Sequence, residues 1–353
     1  MRAERIGNSE SRRGGGAYRA GRRQLRHNYN EIISLENLCL AWEEFVIGKK
    51  QKRDVGEFSR DLMDNIVSLH ESLVNRTYRH GTYQSFYVTD PKLRHIHKAS
   101  VRDRLLHHAV YRVLYPFFDR VFIADSFSCR NGKGMHKAIN RLRQFADQAS
   151  CNHTRSVWAL KCDIRKFFAS IDHGTLLLIL HEHIPDQDIL RLLENIIWSF
   201  HTEPRAGVGL PLGNLTSQLF ANVYMHRFDE WVKHTLKSKY YIRYADDFIF
   251  LSDDRKWLLG TLPQIREVLH RRLRLLLHPD KVILKTFASG VDFLGWVHFP
   301  DHRVLRTKTK RRMFQKIKAS PTAESLQSYL GLLGHGNTAK MRRCLLGEYW
   351  LRR

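Results

Sequence analysis

The stretch Tyr244-Ala245-Asp246-Asp247 constrains this chain more than any other. It lies between residues 240–244 and 248–252, two runs dominated by aromatic and β-branched side chains, so both read as strands. So short a connector makes a hairpin the economical reading, with two adjacent carboxylates at its tip. Asp is also a common turn former, so the tip alone fits a plain turn as well as a reactive site.

A second acidic position adds weight. Residues 157–163 read as a strand ending in Asp163, and residues 164–172 follow it with two further phenylalanines, Phe167 and Phe168. Asp163 and Asp246, on different elements, are the kind of pair that holds two divalent ions around an in-line phosphoryl transfer. Magnesium suits that task because it takes oxygen ligands from one or two carboxylates plus substrate phosphates. Taken alone, Asp163 is more readily a strand-end residue that caps the following turn. Between the acidic blocks runs Gly209-Leu210-Pro211-Leu212-Gly213-Asn214-Leu215-Thr216-Ser217-Gln218, a Gly/Pro loop entering a helix with Leu215, Leu219, Val223 and Trp231 at helical spacing. Such a loop lets backbone approach a ligand closely.

The order of these blocks resembles the palm of a reverse transcriptase. Asp163 to Phe168 resembles motif A, Gly209 to Gln218 motif B, and Tyr244-Ala245-Asp246-Asp247 motif C. Upstream, Pro91-Lys92-Leu93-Arg94-His95-Ile96 with Arg102-Asp103-Arg104, and Phe127-Ser128-Cys129-Arg130 with Gly132-Lys133-Gly134, resemble the two fingers blocks. Downstream, Leu277-His278-Pro279-Asp280-Lys281 resembles motif D, and Gly290-Val291-Asp292-Phe293-Leu294-Gly295-Trp296 motif E. The resemblance covers roughly residues 30 to 345.

That resemblance implies an α+β right-hand polymerase fold: fingers, a palm with an antiparallel sheet, and a helical thumb. The expected layout is a basic, disordered tail over 1–28, N-terminal helices and fingers over 29–150, palm over 151–300, and a basic helical thumb over 301–353. Asp163, Asp246 and Asp247 are then catalytic. The backbone carbonyl of Ile164 joins these three in holding two Mg2+ ions, with Mn2+ as a substitute. Lys92, Arg94 and Arg130 are expected to grip the incoming triphosphate, since ammonium and guanidinium donors match phosphate oxygens. Phe168 would pack under the sugar and exclude a ribose 2′-hydroxyl, while Phe167 takes a core place. Leu212 and Gln218 line the nucleotide from motif B. Lys281 is assigned to the pyrophosphate leaving group, although a plain surface lysine fits the position equally. Tyr244, Gly295 and Trp296 would meet the primer, and Lys308, Arg311 and Arg312 the template–primer hybrid.

Motif B carries the finer resemblance. Group II intron and retron enzymes usually have Pro-Gln-Gly there, whereas this chain has Pro211-Leu212-Gly213 followed by Thr216-Ser217-Gln218. The pattern resembles enzymes of diversity-generating retroelements, which copy a template-repeat RNA into cDNA with errors opposite adenines. An amide at position 212 could hydrogen-bond the nucleotide, whereas Leu offers only shape, and shape alone discriminates weakly. A related antiphage-defence enzyme making cDNA from a non-coding RNA is the alternative. A non-catalytic RNA-binding protein on the same scaffold is a third reading, opposed by the intact acidic blocks. Expected partners are the template RNA, the cDNA hybrid, deoxynucleotides and a small basic helical accessory protein that is itself oligomeric.

Composition agrees with a polyanionic partner: 59 Lys and Arg against 35 Asp and Glu give a formal net charge of +24. No apolar run approaches membrane-spanning length and no signal-peptide pattern is present, which argues against a membrane role. Five cysteines, an odd number with no CxxC pair, argue for a reducing cytosol and against structural zinc. Residues 1–28, with eight Arg and two Glu, cannot bury enough surface to order themselves, and fit either an RNA-binding arm or an unstructured leader. Helices are expected through residues 29–90, after Asp172, from Pro263, and through the Lys/Arg-rich segment after 301; strands are expected at 282–286 and 293–299. With the sequence ending at Arg353, no RNase H, integrase or maturase extension is expected.

Overall fold

The structure, a computed structural model, describes residues 23–89 and 92–352, so the expected tail as far as residue 22, and Pro91 of the first basic block, lie outside the described residues. The rest of the expected tail is not loose. Leu25 is buried with its N–H donating to the His183 carbonyl at 2.8 Å, and Asn28 forms a reciprocal capping box with Glu31.

The chain runs through α1 (Tyr29–Ile33), α2 (Leu35–Val46), α3 (Arg53–Arg60), α4 (Leu62–Val74), β1 (Gln84–Val88), β2 (Arg94–Lys98), α5 (Val101–Asp119) and α6 (Met135–Ala149). There follow β3 (Trp158–Asp163), α7 (His173–His181), α8 (Gln187–Trp198), α9 (Leu215–Glu230), β4 (Tyr241–Tyr244), β5 (Asp247–Ser252), α10 (Arg255–Leu273) and β6 (Ile283–Thr286). A small sheet of β7 (Val291–Phe293), β8 (Trp296–His298) and β9 (Arg303–Leu305) then leads into α11 (Thr307–Ala319), α12 (Ala323–Leu333) and α13 (Ala339–Trp350).

The central sheet has the order β4-β5-β3-β6 with every pairing antiparallel. Because side chains alternate along a strand, the sheet divides the core in two. Leu160, Cys162, Tyr241, Phe248 and Phe250 face the large core built with α1, α2, α4, α5 and α7–α10. Ala159, Ile242, Ile249 and Leu251 face a second core built with α6, the β7–β9 sheet and α11–α13. Both faces are therefore covered, which is why β5 reads as an unbroken apolar run. Asp163 and Asp247 belong to the second face, at the strand ends beyond its apolar filling.

Several expectations need correction. Residues 29–90 are not helical throughout: helix ends at Val74, and Gln84–Val88 is a strand paired with β2. All five β1 residues are exposed, so the burial period that marks a strand is missing there. Pro263 does not start a helix; Asp254 does, its side chain accepting from the N–H groups of Lys256 and Trp257. Pro263 and Leu259, whose carbonyl the proline cannot pair, are both on the exposed side, so the ring is tolerated inside α10. The strand expected over 293–299 is the hairpin β7–β8. Leu294 and Gly295, at φ +50° and +85°, form its two-residue turn, the backbone such a turn requires.

Candidate active site

The acidic tip is a two-residue turn. Tyr244 pairs with Asp247 across β4–β5, leaving Ala245 and Asp246 as the connection, with Ala245 at φ +55°. A non-glycine residue in that region is strained, and the strain is held by a buried network. Arg243 and Asp229 are both fully buried and paired, with guanidinium–carboxylate contacts of 2.6 to 3.0 Å. Arg243 also donates to the Ala245 carbonyl at 3.1 Å and to Asn222 at 3.3 Å, while the Tyr241 hydroxyl donates to Asp229 at 2.7 Å. The turn carbonyl is thus clamped from below by α9.

Register then brings the carboxylates together. Asp163 lies directly opposite Asp247 in the β3–β5 pair, and the Asp246 carbonyl accepts from the Ile164 N–H at 3.2 Å. Like charges placed directly opposite on neighbouring strands are unfavourable. Here cations offset them: Lys281 reaches Asp163 at 2.9 Å, and Lys161 reaches Asp247 at 3.1 Å. Lys161 also donates to the Asp292 carbonyl at 2.7 Å, joining the tip to β7. Burial pushes the Asp246 carboxyl above its ordinary range, and the Asp163 charge adds to it. Asp247 is pushed up to about 6 by burial, with Asp163 and Asp246 raising it and Lys161 pulling it back. A cavity of about 260 Å³ opens beside these groups, lined among others by Lys92, Lys161, Asp163, Asp247, Lys281 and Arg306.

Among the described residues, no three His, Cys, Asp or Glu side chains form a ready-made metal cage. The donor set still fits magnesium. It is all hard oxygen, it concentrates negative charge, and one Asp247 carboxylate oxygen is buried without a partner. A site of few carboxylates completed by substrate phosphates is how Mg2+ is commonly held.

The loop expected to approach a ligand packs against this centre. The Leu210 N–H donates to the Phe168 carbonyl at 2.8 Å and the Gly209 N–H to the Ile171 carbonyl at 2.7 Å, so motifs B and A are stitched by backbone. Phe167 is buried and Phe168 half-buried beside it. Leu212 and Gln218 are half-buried, and the Leu212 carbonyl accepts from the His97 N–H at 3.0 Å, docking β2 against the loop. Arg94 and Lys92 are exposed, Lys92 at the cavity and Arg94 on β2. Tyr244 is half-buried. Lys308 and Arg311 are exposed and Arg312 half-buried on α11, whose Met313 and Ile317 turn inward.

Two assignments are overturned. The Arg130 side chain is buried and pairs with Asp119 at 2.7 Å, donating also to the carbonyls of Asp119, Ile123 and Ser126 and to the Ser126 hydroxyl. With its donors so engaged it braces the turn after α5 and is not available to a triphosphate. Trp296 is fully buried in the second core, where a Cβ at Gly336 would lie 2.1 Å from its ring. It anchors the C-terminal helices, whereas Gly295, in the turn, is half-buried like Asp292 and Leu294.

The sequence reading missed Lys161, Arg243, Asp229 and Asn222. Lys161 and Arg243 carried a signal: each is a charge inside an otherwise apolar strand. Asp229 and Asn222 lay hidden in a helix pattern, since only packing shows that they face the strand.

The family described as reverse transcriptase (RNA-dependent DNA polymerase) matches residues 89–298. Protein YkfC of Escherichia coli is 23% identical over 292 residues, covering 72% of this chain and 74% of that one. The group II intron-encoded protein LtrA of Lactococcus lactis is 23% identical over 330 residues, covering 72% of this chain and 52% of that one. In shape the chain is similar to telomerase from Candida albicans, with a TM-score of 0.51 at 12% identity, covering 78% of this chain and 55% of that one. The chain therefore spans about half the length of LtrA and of the telomerase chain. The match over residues 89–298, more than half of the 353, agrees with an antiparallel sheet that presents Asp163 beside the Asp246-Asp247 tip, and the chain belongs to the reverse transcriptase family, the RNA-directed DNA polymerases.

Proposed function

We propose that this chain extends a primer on an RNA template by nucleotidyl transfer at Asp163, Asp246 and Asp247, with fingers over 29–150, palm over 151–300 and thumb over 301–353. The observation that carries the chemistry is the register of β3 on β5, which sets Asp163 opposite Asp247. When bound, two Mg2+ ions (or Mn2+) held by these carboxylates and the Ile164 carbonyl would supply Lewis-acid activation of the primer 3′-hydroxyl and neutralise the pyrophosphate. The chain's own groups do the rest. Lys92 and Arg94 hold the triphosphate, and Lys281 neutralises the leaving group, a role supported by its 2.9 Å contact with Asp163. Phe168 packs under the sugar, with Leu212 and Gln218 at its other side. Tyr244 and the Gly295 backbone position the primer end, while Lys308, Arg311 and Arg312 follow hybrid phosphates. Asp163→Asn and Asp246→Asn are expected to abolish primer extension while RNA binding survives; substantial residual synthesis refutes the assignment.

The finer role rests on Leu212. Its place in Pro211-Leu212-Gly213, with Thr216-Ser217-Gln218 after it, supports a diversity-generating enzyme that makes error-prone cDNA from a template-repeat RNA, working with a small basic accessory protein. Sequencing cDNA made by the wild type and by Leu212→Gln tests this: misincorporation opposite adenine is expected in the first and reduced in the second. An unchanged error spectrum sinks the idea. The antiphage-defence alternative shares the chemistry, and a paired variable and template repeat beside the gene decides between the two.

A further inference from the structure

Resting on the RNA-copying reading above, we propose that Lys161 is a positioning residue for nucleotidyl transfer. Its ammonium ties the acidic tip to the strand that leads into the primer-facing turn, and so sets where the primer end lies relative to Asp163 and Asp246. Packing gives no reason for a lysine at this place. Lys161 lies inside β3, opposite Ile249 on one side and Ile283 on the other, and its side chain is only 14% exposed. Enclosing an ammonium costs free energy unless its donors are met. Two acceptors from different sheets meet them: Asp247 Oδ2 at 3.1 Å, at the start of β5, and the Asp292 carbonyl at 2.7 Å, in β7. Balancing the Asp247 charge needs the first contact alone. The second, shorter one joins the central sheet to the β7–β9 sheet.

From Asp292 the tie runs on in two directions. Along the chain, Leu294 and Gly295 form the β7–β8 turn, whose backbone meets the primer end. Through the side chain, the Asp292 carboxylate pairs with Arg306, whose own N–H donates to the Gly295 carbonyl at 2.9 Å. Arg306 is the N-cap residue of α11, the helix that carries the exposed Lys308 and Arg311. At the other end, register sets Asp247 opposite Asp163. The acidic tip, the primer-facing turn and the root of the thumb helix are thus joined through one ammonium. The contact also orients Asp247: it engages Oδ2 and leaves Oδ1, which is buried without a partner among the described residues. In-line attack is sensitive to such a tie, since a misplacement of ~1 Å can cost about 100-fold in rate.

The test uses the full chain with an RNA template and a DNA primer. Lys161→Met keeps the aliphatic stem and removes the donors, Lys161→Arg keeps a cation able to reach two acceptors, and Arg306→Met cuts the tie at Asp292 while keeping the N–H on Gly295. Single-turnover extension with Mg2+ at saturating template–primer is expected to slow about 100-fold in Lys161→Met. Nucleotide KM and template–primer affinity are expected to stay within about twofold of wild type, the pattern of a lost transition-state alignment. Lys161→Arg is expected to recover about tenfold of the rate, and Arg306→Met to lose about tenfold in the wild type but little more in Lys161→Met, because both cut one tie. A fluorescent adenine analogue as the terminal primer base, in the complex without metal or nucleotide, is expected to brighten in Lys161→Met as the base loses its fixed place. A full rate in Lys161→Met, a loss confined to nucleotide KM, unaltered primer-end fluorescence, or losses that multiply in the double variant would each overturn the proposal. Failure of the wild type to extend any primer removes the copying function, whereas the fluorescence comparison needs no synthesis and reads the tie by itself.

Discussion

Replacing Arg243 with Met removes a guanidinium from a place water does not reach. Its side chain is 1% exposed and that of its partner Asp229 0%, and the pair is 2.6 Å apart. Without Arg243, Asp229 retains the Tyr241 hydroxyl at 2.7 Å. Stranding a buried charge in this way costs about 3–5 kcal/mol, a large fraction of the ~5–15 kcal/mol by which a domain is stable. The same change takes away the 3.1 Å donor on the Ala245 carbonyl, which helps hold the acidic turn at positive φ. The two consequences can be separated. A triple variant, Arg243→Met with Asp229→Leu and Tyr241→Phe, replaces the polar network by apolar groups, an exchange that is often neutral or better. Urea unfolding followed by tryptophan fluorescence is expected to show the single variant strongly destabilised and the triple variant restored to most of the wild-type midpoint. Primer extension is expected to stay low in both, because Ala245 lacks its donor in both. A stable single variant, or an active triple variant, refutes the reasoning.

Arg130→Met is expected to destabilise the fold by about 1–3 kcal/mol through the freed carbonyls of Asp119, Ile123 and Ser126, while Asp119 keeps the Tyr115 hydroxyl at 3.0 Å, with the KM for nucleotide unchanged in steady-state assays of the folded protein. A raised KM at full stability would return Arg130 to the triphosphate. Gly209→Ala forces a Cβ to 2.2 Å from the Thr202 hydroxyl at φ +110°, so a loss of about 1–3 kcal/mol and of extension activity is expected in parallel denaturation and primer assays. Burial, reinforced by the neighbouring His80, pushes His107 down to about 3. Between that value and the ordinary ~6.5 the unfolded chain holds the extra proton, so stability falls as pH drops through this window, by at most about 5 kcal/mol. The urea midpoint from pH 7 to 4 is expected to fall less steeply in His107→Gln, and identical slopes would remove His107 as the cause.

Much of the active centre was legible because its elements obey local rules. The tip is a short connector between β-rich runs, Asp172 caps α7, and Leu219 and Val223 keep the helical period of α9. The misreadings share one cause, that local pattern does not reveal what covers a residue. Arg130 and Trp296 have the residue types of ligand contacts, yet one is enclosed by the turn after α5 and the other by the C-terminal helices. β1 shows no alternation because no face of it is buried, and Leu294 in a positive-φ turn carries none of the glycine signal that its neighbour Gly295 does.

The order of acidic blocks, the cationic surplus and the motif B chemistry were set by the sequence alone, since each depends only on which residues occur and how they are spaced. Tertiary structure decided the rest: that Asp163 faces Asp247, that Lys161 and Lys281 sit on them, and that Arg243 reaches Asp229 beneath the turn. Those pairings join residues from 14 to 118 positions apart, and only the packing of a sheet buried on both faces fixes which charges meet.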